Sequence, residues 1–168
     1  MASCKKLNLM NYMFKWMAVI AFLAVANTSY AQSTGSNYRT AVGIKGYFGG
    51  PDIGSVNLKH FIARDKAIEG GLLFADGFVA LEGMYQWHAP IAGTSGLQWY
   101  VGPGVWLGST QRSKNNSELY LAAKGVFGLD YKIQGAPINL ALDFNPQLRL
   151  TQNTDFDFYA GFAFRFAF

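Results

Sequence analysis

The last stretch of the chain, from Asp155 to Phe168, most constrains what the chain can fold into. It reads DFDFYAGFAFRFAF, and every even position from 156 to 168 is apolar. Successive side chains of a strand point to opposite faces, so the alternation predicts a strand with one wall of phenylalanine. A length of about 13 residues exceeds the roughly 5–6 of an ordinary strand. It is enough to cross a bilayer, which takes about 9–11 tilted residues.

The start of the chain has the three parts of a secretory signal. Lys5, Lys6 and Lys15 precede an apolar run from Trp16 to Ala26, and a small-x-small site follows at Ser29-Tyr30-Ala31. The run is too short for a spanning helix, which needs about 20 apolar residues. The predicted division of the chain is a cleaved signal peptide at 1–31, a flexible lead-in at 32–37 and one domain at 38–168.

Cleavage after Ala31 would change the chemistry available to the mature chain. Cys4 is the only cysteine, so the mature chain would form no disulfide and no thiolate. Loss of the three lysines would reduce the net charge from +4 to +1, which removes the basic charge as an argument for nucleic acid binding. No later apolar stretch suits a membrane helix, so a membrane location would require a closed barrel.

Strand-like alternation recurs along the whole domain, in segments separated by short turns. Asp76-Gly77 is a strong hairpin signal. Pro103 is expected to cause a bulge or local break, and Pro146 to interrupt the ladder once. Residues 109–117 are expected to form the longest and most polar loop. The eight predicted strands are 38–48, 53–62, 66–75, 78–88, 96–108, 118–134, 138–150 and 155–168. This pattern predicts an all-β, eight-stranded, antiparallel up-and-down transmembrane barrel.

Aromatic residues support one orientation of this barrel. An exported N-terminus would place both ends of the domain in the periplasm and the 109–117 loop outside. Aromatic side chains on the apolar face then gather at the periplasmic rim, where headgroups meet hydrocarbon. The predicted interfacial girdle is Tyr85, Trp87, Trp99 and Tyr131.

The opposite face of the strands carries too many charges for a dry core. An eight-stranded barrel has an interior that its own side chains can fill, so we predict a salt-bridged interior with nearly balanced charge. A symmetric turn at 151–155 would place Arg149 opposite Asp157. The predicted interior charge network is Lys45, Lys59, Glu69, Glu82, Lys124, Asp130, Lys132, Asp143, Arg149, Asp157 and Arg165.

Together, the signal peptide, the alternation, GLQWYVGPG at 96–104 and the terminal Phe168 resemble a known family. The chain is similar to the eight-stranded outer-membrane β-barrels of Gram-negative bacteria, the OmpA/OmpX group, and most resembles the outer membrane protein beta-barrel domain sequences of Bacteroidetes. The resemblance implies an outer-membrane location. It also implies that Phe164, Phe166 and Phe168 form a signal read by the barrel-assembly machinery. The short outer loops depart from loop-rich relatives with adhesin or receptor roles.

The resemblance leaves several functions open. The leading hypothesis is a monomeric, non-catalytic barrel with a structural or envelope-interaction role, in contact with outer-membrane lipid and lipopolysaccharide. A narrow solute pore is the second hypothesis. A lipid A-modifying enzyme using His60 or His88 is the third, although both histidines are expected at the periplasmic interface in structural positions.

A soluble calycin-type barrel would need the apolar residues inside, the reverse of the predicted assignment. Glu69 and Glu82 lie on adjacent strands and could act as an acid–base pair, but nearby lysines favour ion pairing. No cofactor is implied, and the sequence has no metal-ligand cluster.

Overall fold

The computed structural model describes residues 38–113, 116–151 and 154–168, with only the backbone described at 112, 113 and 116. The predicted signal peptide and lead-in therefore lie outside the described residues. Eight strands make up the described domain: β1 (Thr40–Phe48), β2 (Ile53–Ala63), β3 (Lys66–Ala75), β4 (Phe78–Pro90), β5 (Leu97–Ser113), β6 (Asn116–Lys132), β7 (Ile138–Arg149) and β8 (Asp155–Ala167).

The strands form one closed antiparallel barrel in sequence order. Each strand pairs with its neighbours in the chain, and β1 also pairs with β8, from Ala41 opposite Ala167 to Phe48 opposite Ala160. The terminal rim is the end that carries residue 38, Phe168 and the connections 64–65, 91–96 and 133–137. The far rim carries the connections 49–52 and 76–77, together with the last residues of β5 and β7 and the first residues of β6 and β8.

The prediction of a long loop at 109–117 was wrong. Strand β5 continues to Ser113 and β6 begins at Asn116, so most of this segment is a paired hairpin. Ser109 lies opposite Leu119, and a register shift follows between Gln111 and Ser113. The backbone ladder does not require apolar side chains, so the polar sequence here marks where the hairpin extends beyond the apolar band.

Both prolines interrupt the ladder without shifting its register. The β4–β5 pairing stops at Met84–Gly104 and resumes in the same register at Trp87–Val101. By alternation, Pro103 occupies a hydrogen-bonded position opposite Tyr85. Because proline has no N–H, the carbonyl of Tyr85 lacks its ladder donor. The local break expected near Pro103 is confirmed, and no bulge occurs there.

The second interruption has the same cause. The β6–β7 pairing skips from Lys124–Gln147 to Phe127–Phe144, which confirms the single break expected at Pro146. Hydrogen-bonded and non-hydrogen-bonded pairs alternate along the ladder, and Pro146 falls in a hydrogen-bonded pair with Gly125. Because proline has no N–H, the carbonyl of Gly125 lacks its ladder donor. Gly125 also lies opposite Pro103 on the other side, so the two breaks adjoin a single residue of β6.

The barrel wall sorts side chains by polarity. The phenylalanines of β8 lie on the outer face, and Phe162, Phe164 and Phe166 are each about half exposed. Among the described residues, the interior holds sixteen buried polar or charged side chains, including Lys45, Lys59 and Arg165. This arrangement reverses that of a soluble barrel. No helix in the described part of the chain is long and apolar enough to span a membrane.

Candidate functional site

The charged residues on the inner face of the strands meet in three layers along the barrel axis. The upper layer, nearest the far rim, centres on Glu82 of β4 and Lys124 of β6, with 2.6 Å between Lys124 Nζ and Glu82 Oε1. Tyr47 donates its hydroxyl to Glu82 at 2.6 Å, and Trp106 donates its indole N–H to the same carboxylate at 2.7 Å. These side chains come from four strands, so they cross-link the wall and fill this part of the lumen.

The middle layer centres on two carboxylates that share one lysine. Lys45 Nζ lies 2.8 Å from Asp143 Oδ2 and 3.6 Å from Glu69 Oε1. Arg165 of β8 reaches across the lumen to Glu69 of β3, with 2.6 Å between its Nη2 and Glu69 Oε1. Tyr100 donates its hydroxyl to Asp143 at 2.5 Å. Each buried carboxylate in this layer therefore has both a cationic partner and a neutral donor.

Amide side chains complete the coordination of Glu69. Asn57 Nδ2 donates to Oε1 at 2.8 Å, and Gln86 Nε2 donates to Oε2 at 2.9 Å. Glu69 thus accepts hydrogen bonds from three different strands. A fully hydrogen-bonded buried carboxylate is a structural anchor, and these contacts favour that role over the acid–base pairing with Glu82 that the sequence left open.

The lower layer, towards the terminal rim, centres on Asp130. Lys59 Nζ lies 2.7 Å from Asp130 Oδ2, and Asn139 Nδ2 donates to Oδ1 at 2.7 Å. The hydroxyl of Tyr38 lies 3.1 Å from both carboxylate oxygens. Arg165 Nη1 also donates to Asn139 Oδ1 at 3.2 Å, which connects this layer to the middle one.

Glycines on the inner face make room for these charges. A Cβ atom at Gly161 would overlap Asp143 Oδ1 and lie 2.9 Å from Lys45 Cε. A Cβ at Gly128 would lie 2.6 Å from the Cβ of Asp143. The ion pair of Lys45 and Asp143 thus occupies space that two neighbouring strands leave by lacking side chains.

Three members of the predicted network are placed differently from the rest. Arg149 and Asp157 are about 30% exposed at the far rim, with 3.2 Å between Nη2 and Oδ2. Arg149 lies opposite Asp155, not opposite Asp157 as the symmetric turn implied. The β7–β8 connection is centred one residue earlier in the chain than expected. Arg149 and Asp157 therefore point to the same face, but they lie diagonally across the two strands and not directly opposite each other.

Lys132 does not join the ion pairs of the described residues. Its amine donates to the carbonyl oxygens of Ile133 at 3.0 Å and Ala136 at 2.5 Å. It therefore closes the β6–β7 turn at the terminal rim. Alternation predicted that Lys132 points inward. Because Lys132 is the last residue of β6, its flexible side chain can reach the turn carbonyls instead.

The two histidines lie at the terminal rim on opposite sides of the wall. His60 is on the outer face, with its Nδ1 atom 2.9 Å from Thr40 Oγ1. His88 is buried inside, stacked on Tyr100 with ring centroids 5.0 Å apart, which corrects the expected interfacial position. The cause is strand alternation: His88 lies two residues after Gln86 in β4, so it points to the same inner face.

The predicted girdle residues all lie on the outer face of β4, β5 and β6, in the half of the barrel nearest the terminal rim. Tyr85 and Trp87 pack edge-to-face with centroids 4.9 Å apart. Trp99 lies opposite Ala89, and Tyr131 lies opposite Leu97. Phe168 is two-thirds exposed at the same rim.

A small cavity opens at the far rim above the upper layer. It encloses about 210 Å3, and Phe78, Tyr120, Tyr159 and Arg149 contribute to its walls. This volume is below the roughly 300–1,000 Å3 of typical small-molecule sites. The described residues contain no group of three or more side chains suited to holding a metal ion.

Several neutral residues of the network were not singled out from the sequence. Strand alternation places Tyr47, Tyr100 and Trp106 on the inner face, but alternation alone does not predict that they donate to buried carboxylates. The available signal was an aromatic residue with a polar atom at an inward position, because such groups find hydrogen-bond partners when buried.

The wall and the lumen together define the class of fold: a closed, eight-stranded, up-and-down antiparallel barrel with an apolar exterior and a polar interior, the architecture of transmembrane barrels. No family model and no curated protein matches the chain.

Solved structures with this fold do match the chain. The chain is similar to the N-terminal β-barrel domain of Pseudomonas aeruginosa OprF, with a TM-score of 0.60 and 18% identity over 80% of this chain and 100% of that one. It is also similar to Neisserial surface protein A (NspA), with a TM-score of 0.52 and 12% identity over 78% of this chain and 96% of that one. At these identities the likeness establishes the fold.

Proposed function

We propose that the protein is a small, monomeric, integral outer-membrane barrel with a structural or envelope-interaction role and no catalytic activity. The observation that carries the proposal is the sorting of the wall, apolar outside and ion-paired inside. Only a hydrocarbon solvent makes a continuous apolar exterior favourable on all eight strands. The similar solved structures, OprF and NspA, support an outer-membrane location.

The contents of the lumen argue against a pore. Residues of the upper layer from β1, β4, β5 and β6 meet at one level, and the lower layer connects β2 directly with β6. Passage of a solute would require separation of buried ion pairs, which is costly. We therefore expect little conductance in planar bilayers, and steady single-channel currents from the purified protein would favour the pore hypothesis instead.

The placement of the histidines supports the absence of catalysis. His88 lies within an aromatic stack inside the barrel, and His60 has a threonine hydroxyl as its close side-chain partner. We expect an unchanged lipid A profile when the protein is overexpressed. A modified profile that disappears with His60→Ala or His88→Ala would contradict the proposal.

The direct test is gel mobility of the outer-membrane fraction, compared between boiled and unboiled samples. A closed barrel resists detergent until it is heated, because its hydrogen-bond ladder closes on itself. We expect a heat-dependent shift in mobility. A soluble periplasmic protein without a shift would overturn the membrane assignment.

A pair of variants sharpens this test. Leu142 is exposed near the middle of the outer wall, so Leu142→Arg should destabilise a membrane barrel by about 2–4 kcal/mol. Ser109→Arg, also on the outer face but towards the far rim, is the matched control and should be tolerated. If both variants fold equally well, the wall does not face hydrocarbon.

A further inference from the structure

We propose that the terminal rim binds the phosphate of an anionic glycerophospholipid through Lys66 and Arg64, beside Trp87. The inference deepens the proposed function, because it rests on the barrel spanning a membrane. It goes beyond the proposed function by naming the class of lipid that this part of the terminal rim binds.

Lys66 is held next to an aromatic residue by the pairing of β3 with β4. Lys66 lies opposite Trp87, and the neighbouring pair is hydrogen-bonded, since His88 N donates to Asp65 O at 2.7 Å. Lys66 and Trp87 therefore form a non-hydrogen-bonded pair, in which facing side chains come closest. Both side chains lie on the outer face of the wall.

Trp87 marks the depth at which this pair lies. It packs on Tyr85, and Trp99 and Tyr131 lie on the outer face of the next two strands at the same end of the barrel. Such aromatic residues concentrate where headgroups meet hydrocarbon. A lysine at this depth packs its methylene groups along the apolar wall and extends its amine to the phosphates.

The two cations have no ionic partner within the described residues. The buried cations Lys45, Lys59 and Arg165 are all ion-paired, and so is Arg149 at the far rim. No carboxylate among the described residues lies within 4.0 Å of the charged atoms of Lys66 or Arg64, although Asp65 sits between them in sequence. Their charges are thus available to an anion from outside the chain.

The distribution of side-chain charge between the two rims favours an anion at the terminal rim. At the terminal rim the exposed or half-buried side-chain charges are mostly positive: Arg39, Arg64, Lys66 and Lys132 against Asp65. The described side chains at the far rim are mostly negative: Asp52, Asp76, Glu118, Asp155 and Asp157 against Arg149. Among the described side chains, the charges at the terminal rim are therefore the ones that favour a lipid phosphate.

The occupant we assign is a glycerophospholipid such as phosphatidylglycerol. The exported N-terminus predicted from the sequence would place the terminal rim in the periplasmic leaflet, where the anionic lipids are glycerophospholipids. Lipopolysaccharide offers the same phosphate chemistry from the other leaflet, and the experiment below separates the two sources.

The test uses Trp87 as its own reporter. In a W99F background of the mature protein, Trp87 is the lipid-facing tryptophan of the described residues, because Trp106 is fully buried in the lumen. The protein is reconstituted in mixed vesicles, and quenching by brominated phosphatidylglycerol is compared with quenching by brominated phosphatidylcholine. We expect a relative association constant above about five in favour of phosphatidylglycerol. Each lysine or arginine near a surface changes such binding by about fivefold.

The variants locate the effect. R64Q/K66Q should reduce the relative constant to about one, while K132Q should keep the preference, since its amine is held by turn carbonyls at the same rim. An unchanged preference in R64Q/K66Q, or equal quenching by both lipids in the parent protein, would overturn the proposal. Loss of the quenching difference on adding unbrominated lipopolysaccharide would assign the site to that lipid and overturn the glycerophospholipid assignment.

Failure of the underlying function would look different. If neither brominated lipid quenched Trp87, the wall would not face hydrocarbon and the membrane barrel itself would be refuted. Quenching by both lipids without preference would leave the membrane barrel standing and remove only the lipid site.

Discussion

Lys59 on β2 and Asp130 on β6 meet across the full width of the barrel, with 2.7 Å between Lys59 Nζ and Asp130 Oδ2. The two strands lie four apart in a ring of eight, so this ion pair braces opposite walls. Both side chains are almost fully buried. The pair therefore joins elements that share no backbone hydrogen bonds.

The first prediction concerns this brace. Lys59→Met should lower the free energy of unfolding by about 3–5 kcal/mol, because it leaves a buried carboxylate without its cation. The double variant K59M/D130L should recover at least half of the loss, since it removes both charges. Urea unfolding in vesicles, followed by the heat-dependent gel shift, measures both. If the free energy of unfolding lost in K59M/D130L equalled the sum of the losses in the two single variants, this account would be contradicted.

The second prediction compares two arginines that both pair with carboxylates. Arg165 is fully buried and contacts Glu69, Asn139 and Asn57, so Arg165→Gln should cost about 3–5 kcal/mol. Arg149 is about 30% exposed, and Arg149→Gln should cost less than about 1 kcal/mol because solvent screens the pair. The same unfolding assay applies, and equal losses would show that burial does not set the strength of these pairs.

The third prediction concerns the space left by inward glycines. Gly161→Ala would place a methyl group against Asp143 and Lys45, and overpacking of this kind typically costs about 1–3 kcal/mol. Gly70→Ala is the matched control, because the nearest atom to its added Cβ, outside its chain neighbours, would be Glu82 O at an ordinary 3.8 Å. We expect Gly70→Ala to have the same urea midpoint of unfolding as the parent protein and Gly161→Ala to have a lower one. Equal midpoints would mean that the ion pair shifts without strain.

The fourth prediction concerns the ladder break at Pro146. Pro146→Ala supplies an N–H opposite Gly125, whose carbonyl lacks a ladder donor. The new hydrogen bond is worth about 0.5–1.5 kcal/mol, and the more flexible unfolded chain offsets about 0.4–1 kcal/mol of it. Stability should thus change little, while the new amide at position 146 should exchange slowly with solvent deuterium.

A proline in a turn provides the comparison for this measurement. Pro51→Ala, in the exposed connection between β1 and β2, should introduce a rapidly exchanging amide. If the amides at 51 and 146 exchange at the same rate, the ladder has not closed at Gly125, and the break has a cause other than the missing proline N–H.

Face assignments could be predicted from the sequence because the strand period is local. Lys45 and Tyr47 point inward while Ile44 points outward, and each strand follows its own alternation whatever its partners. His88 obeys the same rule: it lies two residues after Gln86 on β4 and points inward with it, so alternation overrides the interfacial position expected for a histidine near a strand end.

Strand ends were less predictable because they depend on pairing. Ser109, Thr110 and Gln111 are polar, so composition suggested a loop. Backbone partners in β6 and in the β3–β4 turn nevertheless extend β5 through them. Similarly, the register of β7 with β8 depends on the connection between them. A shift of one residue in its centre moved Asp155, in place of Asp157, opposite Arg149.

The sequence by itself determined that the chain alternates apolar and polar faces over eight strands, and so that its exterior would be apolar and its interior charged. Only the tertiary structure decided which charges meet. Lys59 and Asp130 are 71 residues apart in the chain, and Glu69 and Arg165 are 96 apart. Closure of the barrel brings them together, and pairing across a lumen depends on register and strand tilt summed around the ring, which no local pattern encodes.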